Sequence, residues 1–147
     1  MQDVRFLLVI IATSLSTYFN RDDELEEFLD RYNDEFPMRD EIRRELESTF
    51  AFIESLQLPD SARIWKKADL FTAIVELHAA THKRGKRLDA KRVADRLQQF
   101  YLDVDDSDRR GASESNASRY YKAALQATTD RGSRILRGMI FRETLDL

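Results

Sequence analysis

ADLFTAIVELHAATHK, residues 68–83, decides the fold. Leu70, Phe71, Ala73, Ile74, Val75 and Leu77 crowd nearly every side of a helical wheel, so the stretch reads as a helix enclosed by others. Gly85 follows as a stop signal. Asp69, Thr72 and Glu76 form one polar column on this otherwise apolar rod. Buried carboxylates require cations, and arginine is the side chain best shaped for them. Arg131, Arg134 and Arg137 recur every third residue near the C-terminus, so an ion-pair link is expected between the last helix and the helix carrying Asp69 and Glu76. Trp65, just ahead of that helix, is expected to anchor the core, with a gross value of about 5 kcal/mol at about 25 cal/mol per Å².

Working outward, the segment from Asp3 to Phe19 is a second strongly apolar helix, with an unbroken run from Phe6 to Ala12. That run is far shorter than the ~20 residues that span a bilayer. Asp3 offsets Arg5 and no small-x-small site follows, which argues against a secretory leader. Such a helix is either the central rod of the domain or one whose cover belongs to another body. Asn20 to Asn33 carries Leu25, Phe28, Leu29 and Tyr32 on one face, and Arg39 to Leu56 carries Ile42, Leu46, Phe50, Ile53 and Leu56. Leu58-Pro59-Asp60-Ser61 turns the chain. Asp89 caps a helix over Ala90 to Val104, and two more helical stretches run over Arg119 to Thr129 and Ser133 to Leu145. Tyr120, Tyr121, Leu125, Ile135, Leu136, Met139 and Ile140 are placed on buried positions. Residues 105–118 lack any large apolar side chain and read as one long flexible connection. No stretch alternates as a strand would. The 147 residues therefore predict one all-α domain, a compact bundle of six to seven helices.

Composition removes several classes of function. Four glycines, two prolines and 35% charged residues exclude fibrous, low-complexity and membrane-embedded chains. Without cysteine there is no disulfide, thiolate metal site or cysteine nucleophile, which suits a cytoplasmic location. The net charge of −3 conceals a split: residues 1–60 hold 15 Asp/Glu against 6 Lys/Arg, and residues 61–147 hold 12 against 18.

The motifs that could carry chemistry are incomplete. His78 and His82 share a helical face in HAATH, but no third ligand is indicated, so no metal site is expected. Asp103, Asp105, Ser107, Arg109, Gly111 and Glu114 fall on the ligand positions of an EF-hand loop, yet its turn glycine is replaced by Asp108, and Arg109 and Arg110 bring the wrong charge. There is no glycine-rich phosphate cradle and no nucleophile elbow. No cofactor and no catalytic residue are assigned. Lys83, Arg84, Lys86, Arg87, Lys91, Arg92 and Arg96 gather seven positive charges against Asp89 and Asp95. Such a run is either an ordinary solvated face or a surface that contacts nucleic-acid phosphates.

Three stretches together, MQDVRFLLVIIA (1–12), RIWKKADLFTAIVELH (63–78) and YYKAALQATTDRGSRILRGMIF (120–141), carry a family resemblance. They resemble the C-terminal helical half of the family of unknown function that forms the N-terminal part of GmrSD-type restriction proteins, in the ParB/sulfiredoxin-like superfamily. The resemblance implies a preceding α/β ParB-like domain whose DGQQR-type motif is associated with nucleotide hydrolysis and DNA cleavage in phage defence. That motif does not occur in this sequence, so Met1 would match an internal position of the longer proteins. The expected role is a noncatalytic helical domain that packs against the ParB-like domain, fused or neighbouring, and contacts DNA. The competing expectation is a standalone helical adaptor that uses its acidic first half to engage a basic partner.

Overall fold

A computed structural model describes residues 2–147, with side chains from Val4 onward; Met1, taken above as an internal position of longer relatives, and the side chain of Asp3 lie outside the described residues. Seven helices make up the all-α fold, and the described residues contain no strand: α1 (Gln2–Leu15), α2 (Leu25–Arg31), α3 (Arg39–Ser55), α4 (Lys67–His78), α5 (Ala90–Asp105), α6 (Asn116–Leu125) and α7 (Arg131–Leu145). A 3₁₀ turn, Arg63–Trp65, leads into α4, and a wide π turn, Ala79–Lys83, continues it.

Nine of the twelve residues of α4 are buried, as its lack of a polar face requires. Helices α1, α3 and α7 pack around it, and α5 and α6 pack on α7 and on each other. Helices α3 and α5 present their predicted stripes. Ile42, Leu46, Thr49 and Ile53 of α3 face inward, and Asp40 and Glu41 sit at the positive end of its dipole. Helix α5 buries Val93, Ala94, Leu97, Phe100, Tyr101 and Val104, and the Asp89 carboxylate caps it by accepting the Arg92 N–H at 2.7 Å. Gly85, at φ +65°, closes the π turn: Arg84 N–H donates to Ala79 O and Lys86 N–H to Ala80 O.

Several expectations need correction. Helix α1 is no central rod. It lies at the edge of the bundle with Val9, Ile10 and Ala12 buried, while Val4 and Leu7 are 62% and 43% exposed. Trp65 is 40% exposed, because the 3₁₀ turn directs Ile64 and Arg63 inward and leaves the indole outside, donating to Pro59 O at 3.0 Å. Leu29, Leu125 and Ile135 are also exposed. On α7 the side chains that go inward beside Ile140 and Phe141 are Arg134 and Arg137. The polar connection is shorter than expected, since α5 runs to Asp105 and α6 begins at Asn116. It is also built: Asp106 Oδ1 accepts the N–H groups of Asp108 and Arg109, and the Arg110 guanidinium lies 3.7 Å from the Tyr121 ring centroid. Ser115 caps α6 by accepting the Ser118 N–H at 3.1 Å.

Candidate functional site

Three arrangements of polar side chains are candidates for function. The first is the interface between α4 and α7. Arg137, buried, donates from Nε to Thr72 Oγ1 at 3.1 Å, and from its two Nη groups to the carbonyls of Ala123 (2.6 Å) and Thr128 (2.9 Å). Arg134 Nη1 donates to the carbonyls of Phe19 (2.7 Å) and Arg21 (3.1 Å), and Arg131 Nε to Tyr18 O at 3.0 Å. The arginine column thus ties the loops before α2 and after α6 to α7. The carboxylates of α4 find other cations. Asp69 meets Arg63 of the 3₁₀ turn at 3.3 Å, and Arg63 also reaches Asp105 at 2.6 Å. Glu76 meets Arg142, beyond the predicted trio, at 2.8 Å and accepts the Tyr18 hydroxyl at 2.5 Å.

The difference has a geometric cause. Arg63 enters from the turn that starts α4, close to Asp69, and Arg142 stands on α7 level with Glu76. Arg137 falls between them, level with Thr72. Burial raises the Asp69 carboxyl above its ordinary value, and the Arg63 guanidinium opposes that rise without cancelling it.

The second arrangement is the basic run. Lys83, Arg84, Lys86, Arg87, Lys91 and Arg92 are exposed and Arg96 half-buried, on the π turn, the following loop and the start of α5. Four of the seven are engaged: Lys86 with Asp146 O, Arg92 with the Asp146 carboxylate, Arg96 with Thr144 O and Lys91 with Asp95. Lys83, Arg84 and Arg87 have no side-chain partner among the described residues, and Lys86 and Arg96, bonded only to carbonyls, have no ion-pair partner there either.

The third is the histidine pair. The π turn brings the rings of His78 and His82 to 5.2 Å between centroids, and His78 Nε2 lies 2.6 Å from Glu45 Oε2. Burial lowers the His78 imidazole below its ordinary value, against the opposing pull of Glu45. A neutral ring that donates from Nε2 leaves Nδ1 as an unpartnered acceptor, and Nδ1 is indeed buried without a partner. No cluster of three ligating side chains that could hold a metal occurs among the described residues. The EF-hand-like carboxylates are turned to arginines, Asp103 to Arg109 and Asp105 to Arg63.

Beside these polar groups lies an apolar groove. Phe6 and Leu7 of α1, Phe50 of α3, Trp65, and Leu70 and Ile74 of α4 line a hollow of about 310 Å³ that is open to solvent. Sequence reasoning missed this groove because it is assembled from four elements and centred on a tryptophan expected to be buried. No described helix is long and apolar enough to cross a membrane. Comparison with protein-family models, with curated proteins and with solved structures gave no match to this chain.

Proposed function

We propose that this chain is a noncatalytic helical domain of a GmrSD-like DNA-targeting defence protein, working in the cytoplasm by packing against a nucleotide-hydrolysing ParB-like domain. The observation that carries the reading is the apolar strip of Val4, Leu7 and Trp65 around the groove between α1, α3 and α4. A helix so apolar is stable only when covered, and the first turns of α1 leave Val4 and Leu7 uncovered. Glu54 of α3 also lines the groove and gives it a charged rim, as a specific interface has. The arginine column supports the same reading: Arg131, Arg134 and Arg137 bond main-chain carbonyls of α6 and of the loops beside α7, which makes a brace. DNA contact is a secondary role, carried by Lys83, Arg84, Lys86, Arg87 and Arg96.

The test is co-expression with a DGQQR-bearing ParB-like domain, followed by size-exclusion chromatography. A stable complex is expected, lost in Leu7→Glu and in Trp65→Glu while both variants keep their helical circular dichroism. Failure to form a complex, or a complex indifferent to both substitutions, rejects the reading. The adaptor alternative rests on the exposed acids Glu24, Glu26, Asp30, Asp34 and Glu35 in and around α2. It predicts that charge reversal there, and not at Leu7, abolishes partner binding.

A further inference from the structure

Arg134 and Arg137 are 4% and 1% exposed. Neither has a carboxylate at ion-pair distance among the described residues. The acids whose field reaches them are Asp22 and Asp130 for Arg134 and Asp69 for Arg137, and these are bonded to Arg5, Arg21 and Arg63 instead. Carbonyl acceptors satisfy the geometry of the two guanidiniums but leave their charge uncancelled, and two buried like charges side by side weaken each other. Arg137 has all three nitrogens engaged. Arg134 does not: both of its bonds are made by Nη1, so Nε and Nη2 carry donors with no partner among the described residues. The guanidinium is held in place by the rings of Phe19 and Phe71, each 5.1 Å away.

Both arginines line a cavity of about 370 Å³, a volume within the range of small-molecule sites. Phe6 and Phe71 form its apolar wall, and Arg5 and Lys67 stand with them. The first turn of α4 also opens on it through Lys67 and Ala68, and the cap residue Lys66 supplies no side-chain acceptor to the free N–H groups there. Four cations thus face one acid, Asp22, an imbalance that suits a dianion better than a carboxylate.

We propose that this cavity binds a small phosphomonoester, its phosphate between Arg134, Lys67 and the start of α4, and its apolar body against Phe6 and Phe71. The cavity adjoins the groove used for docking, with Phe6 lining both, but Lys67, Phe71 and Arg134 line the cavity alone.

The experiment is calorimetric titration of the whole chain with phenyl phosphate at low salt, beside inorganic phosphate. Saturable 1:1 binding of phenyl phosphate, tighter than that of inorganic phosphate, is expected. Lys67→Glu, at an exposed position that leaves the core intact, should weaken it by about tenfold or more, the scale of one charged hydrogen bond. Arg134→Lys should weaken it as well, with folding checked by circular dichroism. No saturable binding at millimolar ligand overturns the proposal, as does binding that Lys67→Glu leaves unchanged. Inorganic phosphate binding as tightly as phenyl phosphate overturns it too, because the apolar wall then does nothing.

Discussion

Gly138 of α7 lies directly against Glu76 of α4: a β-carbon there would stand 2.6 Å from the Tyr18 hydroxyl oxygen and closer still to Glu76 Oε1. The two helices can approach so nearly because Gly138 has no β-carbon, and a buried carboxylate, held by Arg142 and Tyr18, takes the space one would fill. Gly138→Ala must therefore displace a bonded charge as well as fill space. It is expected to cost about 1–3 kcal/mol in urea unfolding, the usual scale of overpacking. Gly132→Ala, with open space around it in the same helix, should be neutral or stabilise by up to about 1 kcal/mol.

Arg63→Met leaves Asp69 buried with no ion-pair partner. A loss of about 3–5 kcal/mol at neutral pH follows from the general cost of breaking a buried pair. The Asp69 carboxyl is already raised in the folded state, so its protonated form favours folding at low pH and that contribution is lost as pH rises through the folded value. Removing Arg63 raises the value further. The deficit of the variant, followed by denaturant unfolding at a series of pH values, should shrink as the solution is acidified toward pH 4.

His78 titrates in the opposite sense. Its folded value lies below the ordinary 6.5, so the stability it contributes is complete above that pH and is lost as pH falls through the folded value. Glu45 faces the ring from α3, while His82 and Lys83 oppose its protonation from the π turn. The melting temperature of the native chain should fall on going from pH 7.5 to pH 5.5. In His78→Gln that part of the slope should vanish, whatever the variant's absolute stability.

The basic run should behave as five unpaired cations, since Lys86 and Arg96 bond only carbonyls and keep their charge. At a slope of about 0.9 per neutralised phosphate, seven cations would give a log–log salt dependence near −6, whereas Lys83, Arg84, Lys86, Arg87 and Arg96 alone give about −4.5. Duplex binding measured over a salt series distinguishes the two, and Arg87→Glu should lower both affinity and slope. Arg92→Glu, which also disturbs the contact with Asp146, should lower affinity less.

The parts of the fold legible in the sequence were those governed by local pattern. The stripe of α3, the Asp89 cap and the stop at Gly85 each depend on residues within one or two turns. What failed depends on elements meeting in space. Trp65 looked like an anchor by type, but its direction is set by a three-residue turn whose other members, Arg63 and Ile64, take the interior. The requirement for cations beside Asp69 and Glu76 could be read from their burial. Which arginines answer it could not, because that follows from the relative height of α7 and from a turn with no periodic signal. The cavity at Arg134 has contributions from α1, α4, α7 and the loop at Thr128, and leaves no mark in any single stretch.

The role proposed for the chain is to brace and join without reacting. Its most direct test is turnover of nucleoside triphosphate and of duplex DNA by the purified chain alone, with magnesium present. No turnover above the buffer blank is expected. Hydrolysis that persists through repurification and is abolished by a single substitution in this chain would contradict the account.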